Sequence, residues 1–162
     1  MKKIFLLFLF GCYLAAKAQI CDTVVVEDIS KLEKWASKHE AKVKADKELN
    51  LDALKCFEVA QYRRVKSDSV FINWYVCAAR NFKTAYSKEK SSSTKAEFLY
   101  KLGLCYFFVS DFRMAEAFFA KALKAKYTSP CAHYYLSLSK TKSGKPEEAD
   151  IEMKIFEKEI GK

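Results

Sequence analysis

The sequence has few of the residues that set tight turns. Its 162 residues include only four glycines and two prolines. Sandwiches and barrels built from short strands need many turns set by glycine or proline, so this scarcity argues against both architectures. Hydrophobic residues make up 51% of the chain, which is enough to build a core and argues against wholesale disorder. The length suits one domain.

The motifs of common catalytic sites are also missing. The chain has no Gly-rich phosphate loop, no Gly-x-Ser-x-Gly elbow and no Cys-x-x-Cys pair. It has two histidines, and neither has a partner at metal-ligand spacing. His39 falls in an apolar helical stripe and His133 at a helix-packing position, so we assign both a structural role. We therefore predict a protein that is not an enzyme, with no catalytic residue, no metal site and no cofactor.

The first 18 residues have the layout of a signal peptide. Lys2 and Lys3 precede an apolar run of 11 residues, Ile4 to Leu14. Ala16 and Ala18 then place small residues at the −3 and −1 positions of a cleavage site. The run is shorter than the roughly 20 apolar residues that span a bilayer. The sequence thus predicts export to the periplasm or cell envelope, with no integral membrane segment after cleavage.

A lipid anchor is the alternative for this segment, because Leu9-Phe10-Gly11-Cys12 resembles a lipobox. Phe10 is bulky for its position, however, and Cys12 lies close to the basic start. Removing residues 1–18 takes away three lysines and lowers the formal net charge from +9 to +6. The remaining excess is spread along the chain, as on solvated helix faces. Export and this spread charge argue against nucleic acid as a partner.

Helical periodicity and capping signals follow an extended leader, which we place at residues 19–29. Ser30 with Glu33 forms a capping box for the first helix. The apolar residues of that helix step by three and four along one stripe: Leu32, Trp35, Ala36, His39 and Val43. Further starts are predicted at Asn50, at Ser67 or Asp68, at Thr94 with Glu97, at Ser110 or Asp111, at Ser129 before Pro130, and at Pro146. The predicted helices span about 30–46, 50–64, 67–88, 94–109, 110–126 and 129–144, with a seventh from 146 onward.

A repeat with a period of 34 residues connects these helices. With Ala96 as position 1, eight residues match one pattern in register: Leu99, Leu102, Gly103, Tyr106, Phe112, Ala115, Phe119 and Ala122. This pattern resembles the tetratricopeptide repeat, and Tyr127 departs from it where the family usually has proline. A degenerate copy from Pro130 matches at Leu136, Gly144, Ala149 and Met153, and a weaker one at Ala78, Phe82 and Ala85.

The resemblance implies an all-α fold, a solenoid of two to three helical hairpins with an extra N-terminal helix. The helical domain then covers 30–162, with its best repeat at 96–129 and degenerate repeats at 130–162 and about 50–88. Two antiparallel helices approach closely only where small side chains meet. Gly103 and Ala115 supply such positions. The structural positions of the repeat are Leu102, Gly103, Tyr106, Ala115, Phe119, Ala122 and Ala149.

In proteins similar to this repeat, fixed positions of the first helix of each hairpin line a groove. Here those positions in the best repeat are Glu97, Tyr100, Leu104, Phe107 and Phe108, and in the next they are Cys131, Tyr134, Leu138, Thr141 and Lys142. The resemblance therefore implies a scaffold or adaptor that binds a peptide or partner helix in an apolar groove. Two alternatives stay open: the surplus aromatic residues are additional core, or the chain is a structural subunit permanently buried in an envelope complex. A homo-oligomer is also left open, with Ile151 and Ile155 as candidates for its face.

Five cysteines remain after residue 18, so at least one is free or pairs with another chain. Cys56 and Cys77 lie equally far from a turn near residues 66–67, which makes them a candidate disulfide. Cys105 and Cys131 would be offset by about 12 Å along neighbouring helices, so we do not pair them. Cys21, close to the new N-terminus, is the best candidate for a free or intermolecular thiol.

Overall fold

The computed structural model describes residues 20, 21, 24, 26–47 and 50–161. Within these ranges the chain forms seven helices and no strand, which confirms the all-α prediction. The helices are α1 (Ile29–Lys44), α2 (Ala53–Val65), α3 (Phe71–Lys88), α4 (Ser92–Phe108), α5 (Phe112–Lys124), α6 (Cys131–Lys142) and α7 (Pro146–Ile160). None of the described helices is long and apolar enough to cross a membrane. The predicted signal peptide and Cys12 lie outside the described residues.

Three helical hairpins, α2–α3, α4–α5 and α6–α7, form the body of the molecule. Each hairpin also packs on the next through α3–α4 and α5–α6, and α4 contacts α6. Helix α1 packs on α2 and α3 at the N-terminal end of the array. The fold is therefore a solenoid-like stack of hairpins with one extra N-terminal helix, as predicted.

Several helix starts differ from the predicted ones by a few residues. The oxygen of Asp28 accepts the N–H of Lys31 at 2.9 Å, so α1 begins at Ile29 and the Ser30 capping box is wrong. The same kind of shift occurs at three other starts, where Asp52 replaces Asn50, Ser91 replaces Thr94, and Pro130 stands at the N-cap in place of Ser129. Asp, Asn, Ser and Thr cap almost equally well, so neighbouring candidates cannot be ranked from composition.

Helix α3 begins at Phe71, later than the predicted Ser67 or Asp68. The reason is the end of α2. Ser67 adopts a left-handed φ of 56°, and the N–H of Asp68 donates to the carbonyl of Arg63 at 3.0 Å. Asp68 Oδ1 then accepts the N–H of Val70 at 3.1 Å and its carbonyl accepts the N–H of Phe71 at 3.0 Å, so a turn over 68–71 precedes α3.

The same closure ends five of the helices. One residue adopts positive φ, and the next N–H reaches back five residues to a carbonyl, as in a Schellman motif. The positive-φ residues are Asp46, Ser67, Ser110, Lys126 and Gly144. After Lys126, the N–H of Tyr127 donates to the carbonyl of Ala122 at 3.0 Å. A proline at position 127 could not make this bond, because proline has no N–H to donate.

The structural positions of the repeat form the centre of the core. Leu102, Gly103, Ala115, Phe119, Ala122 and Ala149 are buried, while Tyr106 is half-buried and stacks on Phe118 with ring centroids 5.3 Å apart. Gly103 lies directly against the ring of Phe119. A Cβ atom built on Gly103 would stand 2.5 Å from a ring carbon of Phe119. The absent side chain is thus what lets α4 and α5 pack together.

Candidate functional site

The predicted groove residues divide into a buried group and a half-buried group. Tyr100, Leu104 and Tyr134 are buried. Tyr100 stacks on Tyr127 with ring centroids 4.6 Å apart, and Tyr134 packs on Phe156 with centroids 5.2 Å apart. Their burial fits the alternative in which these three side chains belong to the core.

The half-buried group consists of Glu97, Phe107, Phe108 and Leu138. Phe108 stacks on Tyr75 of the first hairpin with centroids 5.1 Å apart, and the Arg64 guanidinium lies 4.1 Å from the centroid of the same ring. Phe107 meets Tyr135 of the third hairpin edge to face at 5.2 Å. The two phenylalanines therefore join neighbouring hairpins while keeping part of their surface accessible.

The leader is attached to the third hairpin by a disulfide between Cys21 and Cys131. The hydroxyl of Tyr135 also donates to the carbonyl of Cys21 at 3.3 Å. The prediction that Cys21 is a free or intermolecular thiol is therefore wrong. The prediction assumed that the leader makes no contact with the helices, whereas Cys21 is bonded to Cys131 of α6, a predicted groove position.

A second described residue of the leader is Val26. Val26 packs on the core and lies beside Leu32, Trp35 and Lys55. Two positions of the leader are therefore placed on the array: Cys21 lies at α6, and Val26 lies by α1 and α2.

A cleft of about 520 Å³ opens between the leader, α1 and α2. Its apolar lining comes from Val26, Leu32 and Trp35, and its charged lining from Glu27, Asp28, Lys31, Lys55 and Glu58. Trp35 is half-buried and sits 5.8 Å from the fully buried Trp74, centroid to centroid. Sequence reasoning placed Trp35 only in the buried stripe of α1. A signal for the cleft was present in the sequence: Trp35 lies in the helix that directly follows the acidic residues Glu27 and Asp28.

The charges around the cleft are unevenly paired. Lys31 is bound to Asp28, with Nζ and Oδ2 3.0 Å apart, and Lys55 lies over the Trp35 ring with Nζ 5.9 Å from its centroid. Burial raises the pKa of Glu58, and the carboxylates of Asp52 and Glu27 raise it further. The cleft therefore holds a carboxylate whose charge is disfavoured by its surroundings.

This environment makes stability depend on pH through Glu58. A pKa that is higher in the folded chain favours folding below the unfolded pKa of about 4.3, and this contribution is lost as pH rises through the folded pKa. We expect Glu58→Gln to raise the melting temperature at pH 7 and to leave it unchanged near pH 4. Thermal unfolding followed by circular dichroism at both pH values measures the difference. Glu159→Gln, at an exposed position of α7, is the matched control, and an equal gain from Glu58→Gln at both pH values would contradict the assignment.

The two histidines lie in half-buried positions. His133 pairs with Glu152 of α7, Nδ1 to Oε2 2.7 Å apart, and His39 packs beside Trp35 with ring centroids 4.9 Å apart. Lys140 adds a second contact to Glu152, with Nζ 2.9 Å from Oε1. Among the described residues, no three or more His, Cys, Asp or Glu side chains are grouped to hold a metal ion.

Cys56 and Cys77, the candidate disulfide, face each other between α2 and α3. Their sulfur atoms are 3.3 Å apart, and both are thiols in this structure. Cys105 is buried and is also a thiol. On α7, Ile151 and Ile155 are 60% and 36% exposed, so the candidate oligomer face is accessible, and its use stays a prediction.

In comparisons with known proteins, no family model, no curated protein and no solved structure matches this chain.

Proposed function

We propose that this chain is an exported, non-catalytic scaffold of the tetratricopeptide type that holds a segment of a partner protein in the cleft beside its leader. The observation that carries the proposal is the cleft of about 520 Å³ with Trp35 in its wall. This volume is in the range of binding clefts, and the lining combines an apolar wall with charged groups.

The apolar part of the cleft favours a large aliphatic or aromatic side chain of the partner. Leu32 and Val26 flank Trp35, and a ring or aliphatic chain placed against them would leave water. Such burial contributes about 1.5–3 kcal/mol for one large side chain. A tryptophan in a partly enclosed position is also the residue type that most often dominates a binding interface.

The charged part of the cleft favours a cationic group on the same segment. Glu27 and Glu58 both line the cleft, and the Glu27 carboxylate disfavours the charge of Glu58. A lysine, arginine or terminal ammonium group between them would relieve this repulsion. The partner segment is therefore one that places a basic group next to a large apolar side chain.

Export is supported by two separate features. The N-terminal residues have the signal-peptide layout, and the chain carries a disulfide between Cys21 and Cys131. Disulfides persist mainly in oxidising compartments such as the periplasm. Both features favour a partner that is itself in the envelope.

We expect a random peptide library displayed on phage, selected on the purified chain, to be enriched in a large apolar residue adjacent to Lys or Arg. Trp35→Ala should weaken a selected peptide roughly 10- to 100-fold, because it removes the burial of one large side chain. Ile72→Ala, at an exposed position of α3 outside the cleft, is the control and should leave Kd unchanged. Isothermal calorimetry gives Kd, and thermal melting shows whether each variant is folded.

A second variant covers the case in which Trp35→Ala destabilises the chain. Glu58→Gln keeps the shape of the side chain and removes its charge, so it should weaken cationic peptides while peptides with Lys or Arg replaced by Gln bind wild type and variant equally. Selection without apolar-basic enrichment, or a Kd that neither variant changes, would overturn the cleft as the binding site.

A further inference from the structure

The first hairpin contains a pair of thiols in direct contact. Cys56 on α2 and Cys77 on α3 place their sulfur atoms 3.3 Å apart in a hydrogen bond. The two helices form a hairpin and pack against each other, which holds the two sulfurs next to each other. The contact therefore has the proximity that a disulfide needs.

The two thiols differ in access to solvent. Cys56 is completely buried, whereas Cys77 is 9% exposed. Cys77 lines a small cleft between the end of α1 and α3, together with Asp46, Asn73, Arg80 and Asn81. Cys77 is therefore the more accessible of the two thiols.

The polar surroundings distinguish the two thiols in the same direction. The hydrogen bond from Cys56 lowers the pKa of Cys77, and the Asn81 amide and the Arg80 charge lower it further. The Asn81 amide nitrogen is 3.5 Å from the Cys77 sulfur. The same hydrogen bond and burial raise the pKa of Cys56. The thiolate, which is the reactive form, is therefore favoured at the more accessible position.

We propose that Cys56 and Cys77 are the site of a second disulfide, which a disulfide oxidant of low molecular weight or a protein disulfide installs by exchange. The Cys77 thiolate attacks one sulfur of the oxidant, forms a mixed disulfide and releases the first thiolate. Cys56 then loses its proton, attacks the Cys77 sulfur and releases the second thiolate. Two protein thiols are oxidised, and one oxidant disulfide is reduced to two thiols.

The rest of the chain agrees with this pairing. The Cys21–Cys131 bond means that a disulfide is already part of the folded chain, and an environment that keeps one disulfide oxidised also favours a second between thiols in contact. Among the five cysteines in the described part of the chain, Cys105 is then the one left as a thiol, and it is 1% exposed. The pairing does not depend on the proposed cleft.

Peptide mapping of the purified full chain tests the proposal directly. The chain is treated with glutathione disulfide, denatured, alkylated and digested without reduction, and mass spectrometry identifies linked peptides. We expect the Cys56 peptide to be linked to the Cys77 peptide and Cys105 to be alkylated. Alkylation of both Cys56 and Cys77, or a link from either of them to Cys105, would overturn the pairing.

Single variants test the order of attack. Cys56→Ala should retain one glutathione on Cys77, because the residue that resolves the mixed disulfide is missing. Cys77→Ala should leave Cys56 unmodified, and Cys105→Ala should still form the Cys56–Cys77 link. Glutathione on Cys56 in Cys77→Ala, or no adduct in Cys56→Ala, would overturn the assignment of Cys77 as the attacking thiol. Circular dichroism spectra of the variants should be the same as that of the wild type. This control excludes unfolding as the reason why a cysteine reacts with glutathione disulfide.

Discussion

Replacing Gly103 with leucine is expected to lower the melting temperature by roughly 10 °C or to prevent folding. The new Cβ would stand 2.5 Å from the Phe119 ring, and this ring cannot easily move. Phe119 is fully buried and packs between Tyr100 and Tyr135, each with its ring centroid 5.8 Å away. Overpacking a core costs about 1–3 kcal/mol or more, and each kcal/mol corresponds to about 2–4 °C for a chain of this size. Thermal unfolding measures the change.

Gly103→Ala gives a sharper test, since only the sign of the effect matters. At an open helical position, replacing glycine by alanine stabilises a helix by about 1 kcal/mol. At Gly103 we expect a loss of stability, because even the single added carbon meets the ring. Ala117→Leu on the exposed face of α5 is the control and should change stability by less than about 0.5 kcal/mol. A melting temperature that stays within a degree or two of wild type in Gly103→Leu would contradict the assigned packing.

Removing the leader disulfide should have the second-largest effect. The Cys21–Cys131 bond joins residues 110 positions apart, and closing a long loop restricts the unfolded chain strongly. Such bonds typically contribute about 2–4 kcal/mol. We expect Cys21→Ser to lower the melting temperature by roughly 10 °C, using the size scaling of thermal unfolding. Differential scanning calorimetry without reductant measures the shift.

A double-mutant cycle separates the bond from the individual side chains. If the bond accounts for the effect, Cys131→Ser and the double variant should melt at the same temperature as Cys21→Ser, since either change alone removes it. Losses that add in the double variant would contradict the bond as their cause. Any further loss that a reductant causes in Cys21→Ser would come from another disulfide, such as the proposed Cys56–Cys77 pair.

Local sequence patterns were sufficient to predict the helices and their pairing. Helical periodicity and capping residues identified all seven helices in the described part of the chain. The 34-residue period also located Gly103, Ala115 and Phe119 in the core. These features depend on residues close in sequence, which is why a pattern within one helix or hairpin reveals them. The exact starts were harder, because Asp28 and Ser30 are both good caps and lie two positions apart.

The candidate site depends on contacts between distant parts of the chain, and those were missed. Tyr100 is covered by Tyr127 from the loop after α5, and Cys21 pairs with Cys131 across most of the sequence. No periodicity links the leader to α6, so neither contact has a local signature. The role of Trp35 was equally ambiguous in the sequence, because a helical spacing of three or four residues is typical both of a core residue and of a residue in the wall of a cleft.

The long separation within the Cys21–Cys131 pair also bears on when the molecule is completed. Synthesis proceeds from the N-terminus, so Cys21 is made 110 residues before its partner. The two earlier hairpins, α2–α3 and α4–α5, are synthesised in that interval. The leader can be bound in place only after the first residue of α6 has followed them. The bond that attaches the leader, whose Val26 lines the cleft, therefore forms only after α2–α3 and α4–α5 have been made.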